Sequence, residues 1–159
     1  MGEELSLDPW TLSTNHLATE NFLATMVVGG VFERHPKLRY AAMETGGNWI
    51  GPLAHHLDLW INGSGVFIGA GAKQTELKEK PSDYIRRNVK VAPFGFEDVG
   101  GYIAMYGMPE VYCYQSDFPH IEGGKNPMGD VVKTFTRQGH SQDVMKMFFC
   151  DNAKWLIPN

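Results

Sequence analysis

The stretch Val111–His120, VYCYQSDFPH, constrains the fold more than any other part of the chain. Val111, Tyr112 and Tyr114 suit a pleated, buried strand, and Gln115-Ser116-Asp117 ends the run abruptly with polar groups. Pro119 cannot donate to a ladder, so the strand is over by Phe118. A carboxylate is thereby left where a strand gives way to a loop. In parallel α/β architectures that edge of the sheet gathers catalytic groups and ligands.

Two earlier runs fit the same scheme. Leu38–Met43 (LRYAAM) leads straight into Glu44 and a Thr45-Gly46-Gly47 turn, and Asn88–Ala92 leads into Pro93-Phe94-Gly95. Helical patterns lie between and around them. Ser13 or Thr14 is expected to cap a helix from about Asn15, with Leu17, Phe22, Leu23, Met26 and Val27 on its apolar face. That helix is expected to run past Gly29-Gly30 to His35, where Pro36 blocks it. Asn48 should cap a helix over Trp49–Leu59, with Pro52 in its first turn. Ser82 should cap Asp83–Arg87, and a helix over Glu97–Tyr106 is weakened by Gly100-Gly101. Pro127–Arg137 is a helix that Gly139 ends, and Ser141 caps the last one. The expected core includes Phe22, Leu23, Met26, Leu53, Leu57, Val144, Phe148 and Phe149.

Strands separated by helices imply parallel pairing through right-handed crossovers. Three strands are too few to close a barrel, which needs eight. Strand residues facing inward, such as Tyr112 and Tyr114 or their alternates, would then lack a partner wall, so self-association is expected.

Composition narrows the function. The length of 159 residues suits one domain. A net charge of −4 without any basic run argues against a nucleic-acid binder. No apolar stretch has membrane-spanning length, and MGEELSLDPW lacks the features of a signal peptide, so the expected compartment is cytoplasmic. Two cysteines, Cys113 and Cys150, make no disulfide framework and read as reduced core thiols. The glycine-rich run Asn62–Ala72 reads as a loop without the spacing or lysine of a phosphate-binding loop.

Asp117 is the first chemical candidate, and its plainer reading is a loop aspartate bonding its own turn. His120 adds a second ligand or proton carrier, or is simply a surface histidine. Glu44 also follows directly on a strand. Two carboxylates at one sheet edge can share a metal or divide acid and base roles; alternatively, Glu44 orients the glycine turn. His55 and His56 are adjacent on a helix and point apart, which suits a surface better than a chelate. No H-x-H or H-E-x-x-H spacing occurs.

Three stretches in order resemble the amidohydrolase-related family (amidohydrolase family 2) of metal-dependent hydrolases and decarboxylases. They are Gly29–Asp58 (GGVFERHPKLRYAAMETGGNWIGPLAHHLD), Lys80–Phe94 (KPSDYIRRNVKVAPF), and Tyr112–His120 (YCYQSDFPH) followed by the closing helix and Asp151-Asn152-Ala153. The resemblance implies a parallel (β/α)8 TIM-type barrel of which residues 1–159 form one partial domain, the C-terminal portion with about the last three β/α units. Asp117 matches the family's aspartate at the end of the eighth strand, a metal ligand and the base that activates water or a substrate group. Glu44, Gly46 and Trp49 follow the family's E-x-G-x-x-W version of the sixth-strand motif. This places Glu44 on the substrate side, with Trp49 and His120 as expected substrate contacts. The implied cofactor is a divalent ion, zinc or alternatively manganese, held weakly by this chain alone. The family's H-x-H ligands have no counterpart here, and His16 lies too late to be the fifth-strand histidine.

The expected function is thus the C-terminal segment of a metal-dependent hydrolase acting on a small organic substrate, inactive in isolation. A decarboxylase (a lyase) on the same metal frame is the close alternative. A non-catalytic α/β interaction protein is the rival from another class. The expected partners are a small-molecule substrate and either a second copy or the missing N-terminal barrel half, with no nucleic acid and no membrane.

Overall fold

Three strand segments stand side by side in chain order and position everything else. The computed structural model describes residues 8–63, 77–120 and 123–157. β1 (Tyr40–Ala42) pairs in parallel with β2 (Val89–Val91), Tyr40 opposite Val89 and Ala42 opposite Val91. Val91 in turn bridges Tyr112 in parallel. Its N–H donates to the Val111 carbonyl at 2.8 Å and its carbonyl accepts the Cys113 N–H at 2.9 Å.

Each strand is shorter than its apolar run, because hydrogen bonds outside the ladder claim the neighbouring backbone. Asn88 does not open β2 but ends the preceding helix, where its Nδ2 donates to the carbonyls of Pro36 (3.0 Å) and Leu38 (2.7 Å). Those bonds hold the lead into β1 outside the ladder. The third segment leaves the sheet after Cys113, because the Tyr114 N–H turns to the Phe148 carbonyl at 3.0 Å.

The helices depart from expectation mainly at their starts. α1 (Pro9–Thr14) opens on Asp8, whose carboxylate accepts the Trp10 and Thr11 N–H groups. Ser13 and Thr14 cap nothing; their hydroxyls donate back to the Pro9 and Trp10 carbonyls. α2 (Leu17–Val28) does not reach His35. Gly30, at φ 69°, interrupts it, and α3 (Val31–Arg34) follows as a separate turn. α4 (Ile50–Gly63) takes in the first two residues of the glycine-rich run, and the rest of that run lies outside the described residues.

α5 (Pro81–Asn88) has Pro81 in its first turn, and Ser82 is not its cap. The Ser82 N–H and Oγ instead donate to Asp58 of α4 at 2.8 and 2.7 Å, so a carboxylate from another helix serves the orphan N–H. Asp58→Ala should therefore lower stability by about 1 kcal/mol. Urea unfolding should show a lower midpoint at unchanged slope.

α6 (Val99–Tyr106) starts two residues later than expected, because Asp98 accepts the Gly101 N–H at 3.0 Å and so caps it. α7 (Pro127–Arg137) lies where the sequence puts it, opened by the Asn126 side chain and closed ahead of Gly139 at φ 69°. Ser141 caps α8 (Gln142–Lys146); a π-helical turn over Met147–Asp151 leads into α9 (Asn152–Leu156). Asn152 is buried and its Nδ2 donates to the Pro109 and Tyr112 carbonyls at 2.8 and 2.7 Å, tying the C-terminal helix to the third strand.

Leu23, Leu53, Leu57 and Phe148 are buried as expected, while Met26, Val144 and Phe149 are half-buried. Phe22 is 58% exposed, with its ring beside Tyr40. Tyr112 does have a wall: it is fully buried beside Tyr102, and Tyr114 packs on Phe148 and Phe149. Cys113 is buried, which pushes its thiol pKa up to about 11, and Cys150 is half-buried; neither forms a disulfide. Among the described residues no helix is long and apolar enough to cross a membrane.

Candidate functional site

Two strand ends converge on one cleft. β1 stops at Ala42, and two residues later Glu44 takes φ 58°, a left-handed conformation that only a tight turn demands of a non-glycine residue. The third segment ends similarly, with Asp117 at φ 56° ahead of a cis Phe118-Pro119 bond. The two strands run parallel, so both carboxylates lie beyond the same edge of the sheet. Donor atoms of Glu44, Asp117 and His120 all fall within 4.8 Å of one another. His120 Nδ1 stands 3.5 Å from Asp117 Oδ1, and its N–H donates to the Asp117 carbonyl at 2.7 Å. The Asp117 side chain is only 5% exposed, whereas the His120 side chain is 57% exposed and Glu44 is open to solvent.

The cleft over this trio measures about 910 Å³. Glu44, Thr45 and Gly46 line it from the first strand end, Phe94, Phe96 and Glu97 from the second, and Asp117 and His120 from the third. Thr11 and His16 approach from α1 and the start of α2. His16 pairs with Glu20 at 3.6 Å. Phe94 and Phe96 stack with centroids 5.3 Å apart, and Phe96 is 73% exposed.

Trp49 sits elsewhere than at the cleft surface. It is buried in the core, and its Nε1–H donates to the Gly46 carbonyl at 2.9 Å, so it braces the turn that carries Glu44 from below. His55 and His56 are both exposed on α4, and His56 faces the Trp60 ring.

Glu97 is the residue that sequence reasoning passed over. It is 9% exposed, and its carboxylate accepts the Gly47 N–H on both oxygens (3.1 and 3.0 Å) and the Phe94 N–H at 2.7 Å. Burial raises its pKa above the ordinary glutamate range, against the opposing pull of those N–H groups, the Tyr102 hydroxyl and the Asn48 N–H. Tyr102 is pushed up in turn, by burial first and then by the Glu97 charge. The available signal was that Glu97 precedes an aspartate able to cap α6, which frees Glu97 for another partner.

A divalent ion fits this donor set. Two carboxylates and one imidazole are ligands that zinc and manganese both accept. Beside Glu44, Thr45 lines the same cleft, and its buried Oγ1 has no hydrogen-bond partner among the described residues.

No family model matches the sequence, and no curated protein matches it. Solved structures do. One is an amidohydrolase from Mycobacterium avium subsp. paratuberculosis K-10, at 27% identity and a TM-score of 0.71, covering 94% of this chain and 36% of that one. Another is 5-carboxyvanillate decarboxylase LigW from Sphingomonas paucimobilis, at 26% identity and a TM-score of 0.58, covering 82% of this chain and 36% of that one. The chain thus spans about a third of the length of each of these proteins. With parallel strands in order, strand-end carboxylates and a donor cluster at their convergence, the chain is similar to the amidohydrolase-related proteins over most of its length.

Proposed function

We propose that residues 1–159 form one partial domain, the last three β/α units of a metal-dependent hydrolase barrel acting on a small organic substrate. The observation that carries the proposal is the meeting of Glu44, Asp117 and His120 within 4.8 Å from two loops far apart in sequence. In this reading Asp117 is the principal ligand, because its side chain is the shielded one, and Glu44 and His120 are open to solvent and complete the set. The ion, when bound, supplies Lewis acidity and makes an attacking water acidic near neutral pH.

The chain's own residues then have separable tasks. Asp117 takes the proton of the attacking water or of a substrate hydroxyl at a carboxylate oxygen, shielded enough to act without competing bulk water. His120 adds a ring nitrogen to the donor set, its Nδ1 3.5 Å from Asp117 Oδ1, and the leaving group takes back from Asp117 the proton that the water gave up. Glu44 orients the substrate from the opposite loop, and Trp49 keeps the Glu44 turn in place through Gly46. The stacked Phe94–Phe96 pair offers an apolar wall to the organic part of the substrate.

Metal titration tests the reading. Zinc or manganese should bind the chain at one site with modest affinity, because such sites ordinarily use about three well-shielded protein ligands. Asp117→Asn should abolish that binding, and Glu44→Gln and His120→Ala should each weaken it about tenfold. Equal uptake by all four proteins would overturn the assignment.

Decarboxylation is the second reading, favoured by the likeness to LigW, whose name states that reaction. Carbon dioxide release from a carboxylated substrate would select it. We also propose that the chain associates with a second copy or with the remaining strands of a barrel. Leu38 and Met43, at the two ends of the β1 run, are 39% and 40% exposed and favour this. Sedimentation of a stable monomer at high concentration would count against it.

A further inference from the structure

Glu97 is a buried carboxylate that the chemistry above leaves without a task. A carboxylate held at 9% exposure is costly unless its acceptors are filled, and here the donors come from two separate loops. Phe94 belongs to the loop after β2, while Gly47 belongs to the turn that begins at Glu44. That turn has little room to relax in other ways. Gly46 is left-handed at φ 71°, and a side chain at Gly47 would meet Pro93 within 2.7 Å and Tyr112 within 3.3 Å. The turn is therefore pressed onto the second and third strand ends and locked there by one side chain.

We propose that Glu97 is the positioning residue of the cleft: its carboxylate clamps the Glu44 turn to the end of β2 and so sets the separation of Glu44 from Asp117. The role in metal binding rests on the reading of Glu44 and Asp117 as donors, whereas the clamp itself does not. A glutamine at position 97 keeps one acceptor oxygen, enough for the Phe94 N–H, but sets an N–H₂ donor against the Gly47 N–H in place of Oε2, so the two-oxygen hold on Gly47 is lost. Aspartate keeps the charge but is one methylene short.

The test uses the 159-residue chain, with Co²⁺ as probe and amide hydrogen exchange read residue by residue. In Glu97→Gln and in Glu97→Asp, exchange at Gly47 should accelerate at least tenfold, while exchange in β2 and α7 stays at the wild-type rate. Co²⁺ affinity should fall about tenfold, the scale on which residues that orient metal ligands act. Glu79→Gln, at a residue that does not line the cleft and is paired with Arg87, should leave both readouts unchanged.

Accelerated exchange at Gly47 with unaltered Co²⁺ affinity would overturn the positioning role, and unaltered exchange at Gly47 would overturn the clamp. If the wild-type chain takes up no Co²⁺, the metal reading fails by itself, and exchange at Gly47 still decides whether Glu97 holds the turn. Should both variants unfold, the wild-type Gly47 amide decides: strong protection supports the clamp, and exchange at the rate of a solvent-exposed amide overturns it.

Discussion

Assayed alone with added zinc or manganese, the 159-residue chain should show no turnover above that of the free ion. Assayed together with a polypeptide that supplies the remaining strands of the barrel, it should turn over, and Asp117→Asn should then cost at least ~10³-fold in kcat. The reasoning starts from what the trio can do. Only Asp117 among the three donors is shielded; Glu44 and His120 face solvent, and a loosely held ion lowers the pKa of a bound water less effectively. The asparagine variant keeps the shape of the side chain and tolerates the left-handed backbone at this position, so its loss reports charge and basicity instead of folding. Robust turnover by the isolated chain would remove the partial-domain proposal. Full activity of the reconstituted Asp117→Asn protein would remove the role given to that residue.

The largest expected effect on stability is at Gly100, away from the cleft. α6 and α7 pack so closely there that the Gly100 N–H donates to Thr134 Oγ1 at 3.0 Å. A methyl group on Gly100 would lie 2.8 Å from the Phe135 nitrogen and closer still to the Thr134 carbonyl. All of these are backbone atoms of α7, so relief requires the two helices to separate. Helix propensity alone favours alanine over glycine by up to about 1 kcal/mol. Overpacking of a rigid contact opposes it by roughly 1–3 kcal/mol or more. Separation would also disturb Val99, Val131 and Phe135, all buried at or beside this contact. Gly100→Ala should therefore destabilise the chain by about 2–3 kcal/mol, read as a fall in the urea midpoint. A neutral or stabilising result would show that the two helices are not in contact at Gly100.

Gly100 also shows what a single sequence hides. From local propensity a Gly-Gly pair in a helix is a weakness; in the structure its first glycine is the condition for a helix–helix contact that no local window contains. The same limit hid Glu97. It lies just outside α6, and its partners are Phe94 nearby and Gly47 from a different β/α unit. Ser82 has the composition of a cap, but the acceptor that matters, Asp58, comes from the previous helix. By contrast, α7 was legible end to end, because proline at its start and glycine after its end act through the chain itself. The convergence of Glu44 and Asp117 was legible for a related reason. Each directly follows an apolar run, and parallel pairing sends the ends of such runs to one edge. Phe22 misled because one face of α2 is apolar beyond what the core covers, and hydrophobicity does not specify which apolar residues find a partner.

The left-handed backbone at Glu44 and Asp117 has a consequence for how such a chain can drift. For a non-glycine residue this conformation costs about 1 kcal/mol, and glycine removes the cost. The substitution that would relax either loop is thus also the one that deletes its oxygen donor. Thermal robustness and chemistry are in direct opposition at these two positions, so a lineage selected only for persistence would be expected to lose its carboxylates here first, while keeping its core.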